Sequence, residues 1–318
     1  MSLLTASPDR VSPQSPASLS ASLSASLSAS LSASPISPSP FESRSDSTSA
    51  QGVPTAPIQA RTRSITKVLE PLERIARDSR RLVGTSHAQV QIGGQDHSIP
   101  RYLYVGRQGG GDLQRIGIFA TLHGDEPEGV LALGKFLQTL EERPEIAEGY
   151  ALFIYPLCNP TGYEDGTRCS RAGVDLNREF WKQTSHPEVR FLESEIWMQA
   201  FHGIVTLHSD DTSQGLYGFV KGSVLSEHLL QPALLEAGRY LPRNHGAVID
   251  GFNARSGIIH SGYPGMLQSI PGMVRPPFEI TLETPQKASL HRQVDALVAA
   301  LQTILVENRY LQAIAQNI

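Results

Sequence analysis

One stretch limits what this chain can become more than any other. An apolar run, Ile116 to Leu122, stops abruptly at His123-Gly124-Asp125-Glu126-Pro127. A short uncharged run of this kind reads as a buried strand. Polar, ligand-type residues directly after such a strand sit at its carboxyl end, where open α/β sheets carry their sites. His123 and Glu126 are three residues apart across a glycine turn, so both side chains can reach one point. An imidazole nitrogen and a carboxylate oxygen meeting there suit Zn²⁺. Taken alone, the same residues are more simply a polar loop capped by a histidine, and the rest of the chain has to decide.

Residues 1–60 do not read as domain material. Ala17 to Ser34 repeats Ser-Ala-Ser-Leu with a four-residue period and gives way to Pro35-Ile36-Ser37-Pro38-Ser39-Pro40. Serine competes for backbone hydrogen bonds in a helix, and one leucine in four buries too little, so a disordered low-complexity tail is expected. From Ser64 to about Leu82, Val68, Leu69, Leu72, Ile75, Ala76 and Leu82 fall near helical spacing, with Pro71 near the start or at a kink. Strands are expected over Ala88–Ile92, Ile99–Val105 and Ile116–Leu122, a helix over Gly129–Leu140, and a strand over Tyr150–Leu157. Pro187–Phe201 reads as a helix with proline in its first turn, and Gly203–Leu207 as a buried strand ending at His208. Further on, Ala247–Ile249 and Phe278–Leu282 read as strands, the second ending at Glu283. The last helix spans Leu290–Ala315 with the apolar stripe Val294, Leu297, Val298, Leu301, Leu305 and Leu311. Strand and helix patterns alternate. The expected fold class is therefore α/β: three layers, with a mixed, mostly parallel twisted sheet and helices on both faces, over residues 61–318.

Composition excludes several classes. A net charge of −4 gives no reason to expect nucleic acid. No apolar run approaches the ~20 residues needed to span a bilayer, so no membrane role is expected. Cys158 and Cys169 lie in no zinc-type CxxC and cannot make a disulfide framework. The N-terminus lacks a basic start followed by a long apolar core, and a cytoplasmic location is the expectation.

Read in order, His123-Gly124-Asp125-Glu126, Asn159-Pro160, Arg168, Asp175-Leu176-Asn177-Arg178, His208-Ser209 and Glu283 form a pattern that resembles the zinc carboxypeptidase superfamily. The resemblance covers about Val105 to Thr284. The run from Gly166 to Arg178 is similar to the murein-peptide amidase branch; the HGDEPEG loop is similar to the succinylglutamate desuccinylase and aspartoacylase branch. The resemblance implies one Zn²⁺ per chain, held by His123, Glu126 and His208. It implies Glu283 as general base, with Glu279 as the rival carboxylate in a structural role. Arg168 is the expected oxyanion donor, with Arg171 as its competitor. Asn177 and Arg178 are expected to grip a substrate carboxylate, for which the planar fork of arginine is suited. Tyr263 is the better candidate for a substrate-binding tyrosine and Tyr217 the weaker. The activity implied is a metallocarboxypeptidase or amidase acting on a small peptide beside a free carboxylate. The alternatives are a deacylase of N-acyl amino acids and, from another class, a non-catalytic binder of carboxylate-bearing peptides.

Overall fold

The computed structural model describes residues 62–318 except 93, 109–110, 223–224 and 316–318. The Ser/Ala/Leu-rich segment expected over residues 1–60 lies outside the described residues. In chain order the strands are β1 (Leu82–Ile92), β2 (Gln95–Val105), β3 (Gln114–Ala120), β4 (Tyr150–Tyr155), β5 (Gly203–Asp210), β6 (Tyr217–Gly222), β7 (Val248–Ile249), β8 (Phe252–Arg255), β9 (Ile258–Ile259) and β10 (Phe278–Pro285). The helices are α1 (Ile65–Asp78), α2 (Glu128–Glu142), α3 (Pro160–Asp165), α4 (Pro187–Gln199), α5 (Leu225–Ala237) and α6 (Leu290–Ala315).

The strands share one mixed sheet, ordered β1-β2-β4-β3-β5-β10-β6-β9-β8-β7. Its centre, β4-β3-β5-β10, is parallel throughout, and antiparallel pairs bring in β2 at one side and β6 at the other. Parallel strands are buried on both faces, which is why the central ones read as continuous apolar runs. Along β5 and β10 alternate residues go to opposite layers. Val205, Leu207, Ile280 and Leu282 pack with α2, α5 and α6 in the larger core. Ile204 faces the other way, into a smaller core with Val189, Leu192 and Ile196 of α4. The expected three-layer α/β architecture is the one observed.

The last helix runs over the expected residues, and its stripe is buried as core from Val294 to Leu305, with Leu311 partly buried against it. Elsewhere the boundaries move. Ser64 caps α1, which ends at Asp78, and Pro71 lies inside it rather than near its start. Leu82, expected in that helix, instead opens β1 and is buried in the larger core. β3 stops at Ala120 because Thr121 has φ 55°, a left-handed backbone that ends the pleat. His208 and Glu283 are not past the strand ends as expected but inside β5 and β10. Cys158 and Cys169 are both free thiols. Among the described residues, no helix is long and apolar enough to cross a membrane.

Leu297 is 1% exposed and sits in the core beneath the sheet. Leu297→Ala is expected to lower unfolding free energy by about 2–5 kcal/mol, read as a lower urea midpoint with an unchanged slope.

Candidate active site

The parallel register of β5 and β10 sets His208 directly opposite Glu283, and the antiparallel register of β10 and β6 sets Glu283 opposite Tyr217. Paired residues on adjacent strands project to the same face about 5 Å apart. Two residues back on that face, the Thr206 and Thr281 hydroxyls bond at 2.7 Å, which pins the register. His123 and Glu126 arrive from β3 through the left-handed Thr121. A β-branched residue in that region costs on the order of 1–3 kcal/mol and persists only when its surroundings hold it. Here the Asn159 N–H donates to the Thr121 carbonyl at 2.9 Å, and the Asn159 side chain donates to the Leu122 carbonyl at 3.1 Å.

His123, Glu126 and His208 are each at most 4% exposed. Their ligand-type atoms lie within 4.8 Å of one another. The Nδ1 atoms of the two rings are 3.2 Å apart; His123 Nδ1 is 2.6 Å from Glu126 Oε1, and His208 Nδ1 is 2.9 Å from Glu126 Oε2. Both rings thus turn the same nitrogen to one point, with a carboxylate closing the third side. Two imidazoles and a carboxylate, buried and convergent, fit Zn²⁺. The other nitrogen of His123 is engaged by Asp175 Oδ1 at 3.2 Å, the outer-carboxylate arrangement that orients metal-binding histidines.

Asp175 also receives Arg168, whose Nε and Nη2 donate to Oδ2 at 3.0 and 2.9 Å. That fork leaves Arg168 Nη1 3.3 Å from His123 Nδ1, beside the point of convergence. Arg171 is held instead by Asp165 and Glu164 and does not line the cavity. Asn177 commits its Oδ1 to the Leu267 N–H at 2.8 Å, and its Nδ2 lies 3.4 Å from His208 Nε2. The Arg178 guanidinium carbon sits 4.2 Å from the Tyr263 ring centre, while the Tyr263 hydroxyl donates to Asp250 Oδ1 at 2.9 Å. Gly265, at φ 80°, lets this loop close on Arg178, since a Cβ there would meet the Arg178 carbonyl oxygen at 2.1 Å. Glu279 accepts from Ser269 away from the convergence point. Seven of the eight expected site residues line one cavity of about 300 Å³; the eighth, His208, lies beneath it against His123 and Glu126.

Sequence reasoning missed three features. Asp175 was noted only as part of a motif, yet it joins His123 to Arg168. Asp210 and Asp250 form an acidic wall of the cavity beside Glu283, holding the Tyr217 and Tyr263 hydroxyls respectively. Asp210 also accepts from the Thr212 N–H and hydroxyl. Glu128, the first residue of α2, is buried, and burial followed by the Glu126 charge raises it to about 7.

Burial dominates the electrostatics. It raises Glu283 well above the usual carboxylate range, with Glu126, Asp210 and Asp250 adding to the effect and Arg168 opposing it. A divalent cation held by His123, Glu126 and His208 would oppose it further. Burial also disfavours charge on Glu126, but His123 and His208 outweigh it and hold the carboxyl at about 2. For His123 burial is outweighed by Glu126 and Asp175, which raise it to about 9.

Residues 112–239 match the family described as succinylglutamate desuccinylase/aspartoacylase catalytic domain. That segment holds His123, Glu126, Arg168, Asn177, Arg178 and His208, and stops short of Tyr263 and Glu283. No curated protein matches the chain. Among solved structures, a Shewanella denitrificans OS217 protein provisionally described as a metallopeptidase superposes with TM-score 0.62 at 23% identity, over 76% of this chain and 89% of its own. A Pseudomonas aeruginosa metallo-carboxypeptidase in complex with (2-guanidinoethylmercapto)succinic acid gives 0.56 at 22% identity, over 77% and 69%. A Burkholderia cenocepacia metallo-carboxypeptidase gives 0.61 at 16%, over 79% and 70%. The fold these structures share with the chain is carboxypeptidase-like.

A pH test follows from the buried pair. Glu126 sits below its ordinary 4.5, so its contribution is complete above 4.5 and is lost as pH falls toward about 2. His123 sits above its ordinary 6.5, so its contribution is complete below 6.5 and is lost as pH rises through about 9. In chelated protein the thermal midpoint, relative to that of Glu126→Gln, is expected to be highest between those two ordinary values. A difference that does not change with pH would contradict the pairing.

Proposed function

We propose that this chain, of the zinc carboxypeptidase-like superfamily, is a zinc-dependent hydrolase that cleaves an amide bond beside a free carboxylate. The observation that carries the reading is the meeting, in one cavity, of the His123–Glu126–His208 cluster, the Glu283 carboxylate and two arginines. His123, Glu126 and His208 would hold Zn²⁺, which would supply a Lewis acid for the scissile carbonyl and lower the pKa of a water. Glu283, set beside His208 by strand pairing, takes the proton of the attacking water and passes it to the leaving nitrogen. Arg168, fixed by Asp175, points Nη1 to where negative charge develops on the carbonyl oxygen. Arg178, supported on the Tyr263 ring, offers its remaining donors to the substrate carboxylate. Tyr263 serves by holding Arg178, and Asn177 by joining the Leu267 loop to His208.

The acidic wall favours a peptide or amide over an N-acyl diacid. Asp125, Glu126, Asp210, Asp211, Asp250 and Glu283 line the cavity against Arg168 and Arg178. With a divalent cation bound and all carboxylates ionised, negative charge remains in excess. A substrate bearing an ammonium as well as a carboxylate matches that field, whereas a second carboxylate opposes it. Deacylation of N-acyl amino acids remains the second reading, favoured by the matched segment.

Purified chain is expected to hold about one zinc and to lose activity on chelation. Glu283→Gln should keep its zinc while turnover falls about 10²–10⁴-fold; full activity in a zinc-loaded variant would remove Glu283 from the role. The two substrate readings separate in one assay. Short peptides and γ-glutamyl amides whose terminal residue carries an amine should turn over faster than N-succinylglutamate, and the reverse order would favour the deacylase.

A further inference from the structure

The peptide segment that carries His123 is gripped from outside on both sides. Upstream, Asn159 Nδ2 donates to the Leu122 carbonyl at 3.1 Å. Downstream, Arg63 Nη1 donates to the Gly124 carbonyl at 2.8 Å. These two bonds set the planes of the backbone from which His123 and Glu126 project. Among the described residues no other hydrogen bond reaches the Gly124 carbonyl.

Arg63 is itself well seated. Its N–H donates to the Glu164 carbonyl at 2.9 Å, and its guanidinium carbon lies 5.6 Å from the Tyr163 ring centre. Gly124 lies so close to α3 that a Cβ on it would meet the Gly162 carbonyl carbon at 1.9 Å. The loop therefore has a floor in α3, a strained entry at Thr121 and a single side-chain donor fixing its downstream carbonyl. A strained segment of this kind keeps its shape only while the bonds around it hold.

We propose that Arg63 is a positioning residue for the metal loop, holding His123 and Glu126 in ligand geometry without touching the ion. The proposal rests on the reading of His123, Glu126 and His208 as metal ligands. Without the guanidinium, the Gly124 carbonyl is free to turn toward water, and the His123 and Glu126 donors drift apart together. Lysine supplies one donor but neither the planar fork nor its stacking on Tyr163, so it restores the function only in part.

The test uses the full-length chain as wild type, R63K and R63A, loaded with zinc and then mixed with excess chromophoric chelator. Loss of a group that orients metal ligands typically weakens metal binding about 10–100-fold. R63A is therefore expected to release zinc at least about tenfold faster, with R63K between it and wild type. Cobalt-substituted samples read the geometry directly: the ligand-field bands should shift in R63A and return toward wild type in R63K. If R63A does not fold, R63K against wild type carries both readouts. Equal release rates and identical cobalt spectra, with wild type retaining its metal, would overturn the role of Arg63 alone. A wild-type chain that retains no zinc would remove the metal site itself, and this role with it.

Discussion

Parallel pairing between β5 and β10 is the constraint from which the rest of the site follows. It places a metal-ligand candidate, His208, and the candidate base, Glu283, on neighbouring strands, facing the same side at the same height. A one-residue slip in that register would turn either side chain into the opposite layer, among Leu207 and Leu282 in the main core. The slip is resisted from both sides of the sheet. Burial of Val205, Leu207, Ile280 and Leu282 holds one face, and the Thr206–Thr281 hydroxyl pair locks the other. The placement of His208 and Glu283 is thus inherited from hydrophobic packing of the sheet.

Loops complete the site through hydrogen bonds of long sequence reach. Asp175 lies 52 residues from His123 and seven from Arg168, and it fixes both side chains. Asn177 ties the Leu267 loop to the same place across 90 residues. Tyr263 lies under Arg178 with its ring and donates its hydroxyl to Asp250. Each of these is a buried or half-buried polar group whose partners are supplied by the protein, which makes the arrangement rigid.

Much of this was legible in the sequence where burial imposes a pattern. β3, β5 and β10 were visible as short apolar runs because central parallel strands are buried on both faces, and α6 because its stripe repeats at helical spacing. The order of His123, Glu126, Arg168, Asn177, Arg178, His208 and Glu283 carried the resemblance, and the fold brings all seven together around one cavity. Less visible were β6 and α5. The strand ends in Lys221-Gly222 and the helix carries Pro232, so each lacks a clean period. β8 and β9 are two to four residues long, too short for any periodicity to show, whereas β7 falls within the expected Ala247–Ile249. Asp175, Asp210 and Asp250 escaped because a carboxylate's role is set by what closes on it in three dimensions. Arg63 escaped for the same reason, its partner being 61 residues away.

The central claim is that two imidazoles and one carboxylate meet on a single cation. Anomalous diffraction at the zinc edge from crystals of the loaded chain tests it directly. The account predicts one strong peak about 2.0–2.2 Å from the Nδ1 atoms of His123 and His208 and from a Glu126 oxygen, with Glu283 beside the ion's open side. A zinc peak elsewhere in the chain, or one bound through other side chains, would contradict it.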